Sequence, residues 1–177
     1  MILEKLGLKG ETVDYTTVEF EKISTINKTN FDFDFDFDFS TESGKNLYFE
    51  IKYTEKEFGK AKKDAARINK YDTVYRKAAQ NKIKPEFNNC DTFLANYQIM
   101  RNLIHVSKDS YVVFVIPKNN TKVKDQANEA KALFVEETYK DKVKVLYWDC
   151  LYKFIDEQKW EDKLKIHFEE FKRKYKL

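Results

Sequence analysis

Hydrophobic and polar residues alternate without a break from Phe31 to Phe39, five Phe interleaved with four Asp. A period of two puts the rings on one face of a strand and the carboxylates on the other, which a 3.6-residue helix cannot do. After a short polar stretch the pattern returns: Leu47, Phe49, Ile51 and Tyr53 alternate with Tyr48, Glu50, Lys52 and Thr54. Two such strands so close together predict a hairpin. Paired strands share their faces, so the numbers of facing residues must add to an even total. A two-residue Ser43-Gly44 turn breaks that condition. A three-residue loop, Glu42-Ser43-Gly44, with glycine in the left-handed third position, satisfies it with a sum of 86. Asp36 then faces Glu50, and Asp34 faces Lys52.

The pattern predicts a further strand over 17–26 and a basic helix over 57–80, with room for one break, carried by Ala61, Ala65, Ile68, Tyr71 and Tyr75 among cations. Asp91 or Asn89 can cap a helix over 92–106 whose stripe is Phe93, Tyr97, Met100 and Ile104, with Gln98, Arg101 and His105 on its flank. The apolar runs 111–116 and 143–148 suit buried strands, separated by a helix over 123–139, and a Lys-rich helix closes the chain over 151–175. Strand, helix, strand implies a parallel crossover. The expected architecture is α/β: a mixed sheet flanked by helices.

At 177 residues, with 28 aromatics and only four glycines and two prolines, the chain suits one compact domain over 1–177. Cys90 and Cys150 lack metal-ligand or redox spacing, so reduced thiols and a cytoplasmic setting are expected. The longest apolar run is far below the ~20 residues that cross a bilayer, so no membrane partner is expected. Net charge is only +3, but it is unevenly placed: residues 52–84 hold 11 Lys or Arg against 4 acids, while residues 30–50 hold six acids against one base. Cations beside a carboxylate cluster suit metal-dependent work on a polyanion, and also a solvated helix beside an acidic strand.

Phosphate loops, dinucleotide fingerprints, H-E-x-x-H and G-x-S-x-G are all absent, and the two histidines stand 62 residues apart. What converges is Asp, Glu and Lys on two paired strands. Mg2+ or Mn2+ takes hard oxygen ligands, often one or two carboxylates with water and substrate phosphate. Asp36, Glu50 and the backbone carbonyl of Ile51 supply such oxygens, with Asp34 and Asp32 as alternates. Lys52 points to the same face and could polarise an attacking water or stabilise charge on phosphorus.

An acid on one strand, a turn, then E-x-K on the next, here Asp32 to Asp38 and Glu50-Ile51-Lys52, resembles the PD-(D/E)XK nuclease superfamily. The stretches TNFDF, FEIKYTEKEFGKAK, YQIMRN and VLYWDCL are similar to a bacterial branch of restriction-like nucleases, over about 18–152. E-x-K also starts at Glu129, Glu157, Glu161 and Glu170, all in predicted helices, so context selects Glu50. The resemblance implies a restriction-endonuclease-like three-layer α/β/α fold and a Mg2+-dependent deoxyribonuclease, an endonuclease rather than an exonuclease. It implies catalytic roles for Asp36, Glu50, Lys52, Gln98 and Arg101. DNA would lie on Lys56, Lys60, Lys62, Lys63 and Arg67, and a homodimer stays open. The alternative is an inactive nucleic-acid-binding or protein-interaction module on the same fold. Motif text points to Asp32, whereas the hairpin register favours Asp36, from which Asp32 stands four residues or ~13 Å along the strand.

Overall fold

The structure is a computed structural model that describes residues 2–24, 26 and 34–174; Asp32 and the side chain of Asp34 lie outside that description. Helix α1 (Ile2–Lys5) precedes strands β1 (Val13–Ile23), β2 (Asp34–Thr41) and β3 (Asn46–Ile51). Helices α2 (Ala65–Lys70), α3 (Arg76–Ala79), α4 (Cys90–Ala95) and α5 (Tyr97–Leu103) lead to β4 (Ser110–Ile116). Helix α6 (Thr121–Glu129), strand β5 (Val143–Tyr147) and helices α7 (Trp148–Glu157) and α8 (Asp162–Lys174) complete the order. The strands form one sheet in sequence order, antiparallel through β3 and parallel from β3 to β5. This is the expected mixed α/β architecture.

The hairpin has the predicted register. Phe37 faces Phe49, Asp38 faces Tyr48 and Phe39 faces Leu47, all with the sum of 86. Gly44 has φ +84°, and its N–H donates to the Thr41 carbonyl at 2.8 Å. A side chain at that φ would be strained. The ring face packs with Leu3, Leu6, Val113, Leu146 and Trp148, against α1 and α7. The opposite face of the sheet, through Val112, Phe114 and Ile116, packs with Phe58, Tyr71, Phe93 and Met100. Every residue of β4 is buried, as its unbroken apolar run requires.

Several boundaries differ from the pattern, each for a local reason. Strand β1 covers Val13–Ile23 and bulges between Asp14 and Glu19. There Asp14 accepts from the Thr16 N–H, and the Thr17 hydroxyl accepts from the Ser40 N–H, so side chains replace ladder bonds. The helix expected from residue 57 begins only at Ala65, capped by Asp64, which accepts from the Arg67 N–H at 2.9 Å. Upstream, Phe58 is drawn into the core and the backbone at Gly59 and Ala61 bonds to α5 and α4. Between α2 and α3 a π-helical turn, Tyr71–Tyr75, keeps both tyrosines buried against Phe93, with ring centroids 5.4 and 4.8 Å away.

The helix expected over 92–106 starts at Cys90 under an Asn89 cap and breaks at Asn96, whose φ of −123° and ψ of 38° are not helical. The segment expected to be helical through residue 139 passes from α6 into a π-helical turn, Ala130–Phe134, and then straightens where Val135 bridges Ile83. The closing helix begins at Trp148 and is interrupted after Glu157, where the Trp160 indole N–H donates to the Ile155 carbonyl at 2.6 Å. Among the described residues, no helix is long and apolar enough to cross a membrane.

Candidate functional site

Strand β3 alternates, so Glu50 and Lys52 leave the sheet on the face opposite the Phe49 ring. That face lies under α5, and both residues are buried, at 2 % and 5 % exposure. Buried charges persist only when paired. The Lys52 ammonium donates to Glu50 Oε1 at 2.6 Å, the Gln98 amide Nε2 donates to the same oxygen at 2.6 Å, and Asn102 Nδ2 donates to Oε2 at 3.0 Å. Gln98 and Asn102 stand four residues apart and so share one face of α5. The Lys52 backbone is pinned on both sides: its N–H donates to the Val115 carbonyl at 2.8 Å and its carbonyl accepts from the Trp148 indole at 3.0 Å.

Asp36 enters from β2. The described β2–β3 pairs end at Phe37 and Phe49, and beyond them Asp36 Oδ2 accepts from the Ile51 N–H at 2.6 Å. A side-chain carboxylate thus takes the bond that another ladder carbonyl would have made. Asp36, Glu50, Ile51 and Lys52 open into one cavity of about 410 Å³, whose walls also carry Glu55, Gly59, Lys60, Arg67, Tyr97, Gln98 and Arg101. Glu55 Oε1 lies 3.8 Å from the Lys52 ammonium. The buried Arg101 guanidinium lies 4.9 Å from the centre of the Tyr97 ring.

Electrostatically, desolvation governs the two carboxylates of the site. Burial pushes the Glu50 carboxyl above its ordinary range, opposed first by Lys52, and the neighbouring Asp36 pushes it the same way. Asp36 is also raised, chiefly by desolvation, opposed by the Ile51 N–H and Lys52, with Glu55 and Glu21 adding to the rise. Two carboxylates raised together gain from an added cation. Among the described residues no group of three His, Cys, Asp or Glu is placed to hold a metal ion alone. That donor set does not suit a tetrahedral zinc cage. It suits a hard cation that takes two carboxylates and completes its shell with water or phosphate. Glu50 has capacity for this, since three donors leave room on a carboxylate that offers about four lone-pair directions.

Thus Asp36, Glu50, Ile51, Lys52, Gln98 and Arg101 from the sequence reading meet at one cavity, with Lys60 and Arg67 on its wall. Lys56, Lys62 and Lys63 are exposed outside that lining, and Lys63 pairs with Asp91 at 2.5 Å. The sequence reading missed Asn102 and Glu55. The helical spacing of Asn102 from Gln98 was the available signal, while Glu55 lies in a loop with no periodicity to mark it.

Comparison of the whole chain with protein families gives a match. The chain belongs to the REase-ARP family. That family is described as Restriction Endonuclease associating with ARP, and the match covers residues 2–176. No curated protein and no solved structure matches. For this REase-ARP chain, family membership suggests a nuclease, and the mixed five-stranded sheet is consistent with the restriction-endonuclease-like fold.

Proposed function

We propose that this REase-ARP chain is a divalent-metal-dependent nuclease that hydrolyses internal phosphodiester bonds of DNA. Asp36, Glu50 and the Ile51 carbonyl would hold Mg2+ or Mn2+, with Asp34 and Asp32 as alternate carboxylates. One arrangement carries the reading: the Glu50 oxygen shared by Lys52 and Gln98 at 2.6 Å each, beside Asp36 in the same cavity. When bound, the metal supplies Lewis-acid neutralisation of phosphate charge and lowers the pKa of attacking water.

The chain's own residues do the rest. Glu50, held by Gln98 and Asn102, cannot swing away from the cavity. Lys52, fixed by the main-chain bonds at its N–H and carbonyl, presents an ammonium that stabilises charge growing on the phosphorane oxygens. Arg101 on the wall adds a second fixed cation for phosphate. Lys60 and Arg67, at the same opening, hold the DNA strand, while Lys56, Lys62 and Lys63 extend the basic track along it. The unit acting would be the whole 177-residue domain in the cytoplasm, alone or as a homodimer, in association with ARP as the family description has it.

A second reading has its own observation. Glu50 already accepts three donors, as a buried structural carboxylate would, which favours a DNA-binding or protein-interaction module without turnover. Supercoiled plasmid separates the two. The nuclease reading expects Mg2+-dependent nicking or linearisation, abolished by EDTA; a closed circle has no ends, so cutting it also establishes internal cleavage. Activity that persists after exhaustive chelation removes the metal mechanism. Intact DNA and RNA with both Mg2+ and Mn2+ leaves the binding module.

A further inference from the structure

A glutamine amide has a donor end and an acceptor end, and at Gln98 the difference decides whether Glu50 is held or repelled. Turned by half a rotation, the amide would set its oxygen against the carboxylate. The group that chooses between the two orientations is the backbone of residue 59. Gly59 N–H, which can only donate, gives its hydrogen to Gln98 Oε1 at 3.0 Å, leaving Nε2 for Glu50 Oε1 at 2.6 Å. The Gln98 backbone N–H returns a bond to the Gly59 carbonyl at 3.0 Å.

The segment that carries Gly59 is not a loose loop. Phe58 is buried at 1 % exposure with its ring 5.3 Å from that of Phe114, and its N–H donates to Gln126 Oε1 at 3.0 Å. Asn120 Nδ2 donates to the Glu55 carbonyl at 2.8 Å, and the Ala61 N–H donates to the Leu94 carbonyl at 2.9 Å. Helix α6 therefore grips one end of the segment, and α4 and α5 the other. We infer that residues 55–61 form a fixed strap whose Gly59 N–H is a positioning group: it orients the Gln98 amide, and through it the Glu50 carboxylate, for metal binding. This rests on the metal-site reading above but adds to it a backbone group that lies outside the E-x-K motif.

The test measures Mn2+ affinity of the parent chain, Gly59→Ala and Gly59→Pro by the decrease of the free-ion paramagnetic resonance signal, with the Gln98 side-chain amide followed by nitrogen-edited NMR. Gly59→Ala keeps the N–H, and its new Cβ would meet Gln98 Oε1 at 3.5 Å and Cβ at 3.8 Å, ordinary contact distances. It should match the parent in both measurements. Gly59→Pro lacks the N–H; Mn2+ affinity should fall about 10- to 100-fold, the usual loss when support for a ligand is removed. The Gln98 amide signals should shift and exchange with solvent. A folded Gly59→Pro with parental affinity and unchanged amide signals would overturn the inference. Should Gly59→Pro fail to fold, hydrogen exchange at Gly59 decides: it should speed up in Gln98→Leu while Ala61 is unaffected, and equal rates overturn the strap's role. A parent chain with no Mn2+ affinity removes the metal reading instead, and the Gln98 amide signals in Gly59→Ala and Gly59→Pro then judge the orientation alone.

Discussion

Asp36 carries two jobs that a single substitution can separate. Its carboxylate accepts the Ile51 N–H, which finishes the exposed end of the hairpin, and it faces the cavity beside Glu50. Asp36→Asn keeps an acceptor oxygen and nearly the same volume, so the Ile51 bond can survive while the charge is gone. Turnover should then fall roughly 100-fold or more, several kcal/mol of lost stabilisation at the reacting phosphate. Thermal unfolding without metal should occur at the same or higher temperature, because Asp36 repels Glu50 and is itself raised by desolvation. Asp32→Asn should be much milder. A dead Asp32→Asn beside an active Asp36→Asn, both folded, would mean that the hairpin slips before Asp34 and that motif text had the better claim. Glu50→Ala should be inactive for a different reason as well. It removes the hydrogen-bonded carboxylate of the buried Lys52 ammonium and leaves it only the longer Glu55 ion pair at 3.8 Å, so its fall in activity must be read beside its stability.

Elements were legible in proportion to how far their pattern depends on immediate neighbours. The hairpin was readable to the residue from Phe37–Phe49 to Ser40–Asn46, since strand alternation, shared faces and one left-handed glycine leave a single register, and Asp36, one residue beyond that ladder, shares a cavity with Glu50. The region after β3 was not. Phe58 even falls at helical spacing from Ala61, Ala65 and Ile68, yet it is claimed by the core, and the backbone around it bonds to α4, α5 and α6 instead of closing helical turns. The break at Asn96 and the π-helical turns are likewise set by what packs against them. One such long-range tie is testable. His105, just past α5, bonds through Nε2 to the Ser24 hydroxyl at 2.9 Å and joins the end of β1 to that helix. Burial, with the Lys82 and Arg101 cations, lowers its pKa from 6.5 to about 3. The unfolded chain takes up this proton as pH drops through 6.5 while the folded chain refuses it until about pH 3. Stability from this group is therefore complete above 6.5 and declines progressively below it. His105→Gln should shrink the drop in urea stability between about pH 7 and pH 4.5. Carboxylate titrations are common to both proteins and cancel in the difference. Parallel curves would mean that His105 titrates normally.

On the scale of the whole molecule, both faces of the sheet are covered by apolar side chains, one closed by α1, α7 and α8 and the other by Phe58, Tyr71, Phe93 and Met100, and the charged cavity opens beside α5 on the second face. Of the basic stretch 52–84, Lys52, Lys60 and Arg67 line that cavity, while Arg76 and Lys77 line a separate one. Not all of these cations are equally available. Lys63 is already paired with Asp91, Arg67 with Asp64, and Lys60 sits 3.5 Å from Glu57, whereas Lys62 is exposed. A cation that must leave a carboxylate to meet a phosphate adds less to binding than one that leaves only water. For duplex DNA bound in EDTA, each phosphate that the protein no longer neutralises should reduce the slope of log affinity against log salt by about 0.9. Changing Lys60, Lys62 and Lys63 together to Gln should lower the slope by about 2 rather than nearly 3, with Lys63→Gln alone the smallest single change. Fluorescence anisotropy over a series of salt concentrations reads this directly. An unchanged slope in the triple variant would place the duplex on another surface, with Lys172, Arg173 and Lys174 at the end of α8 as the next cations to neutralise.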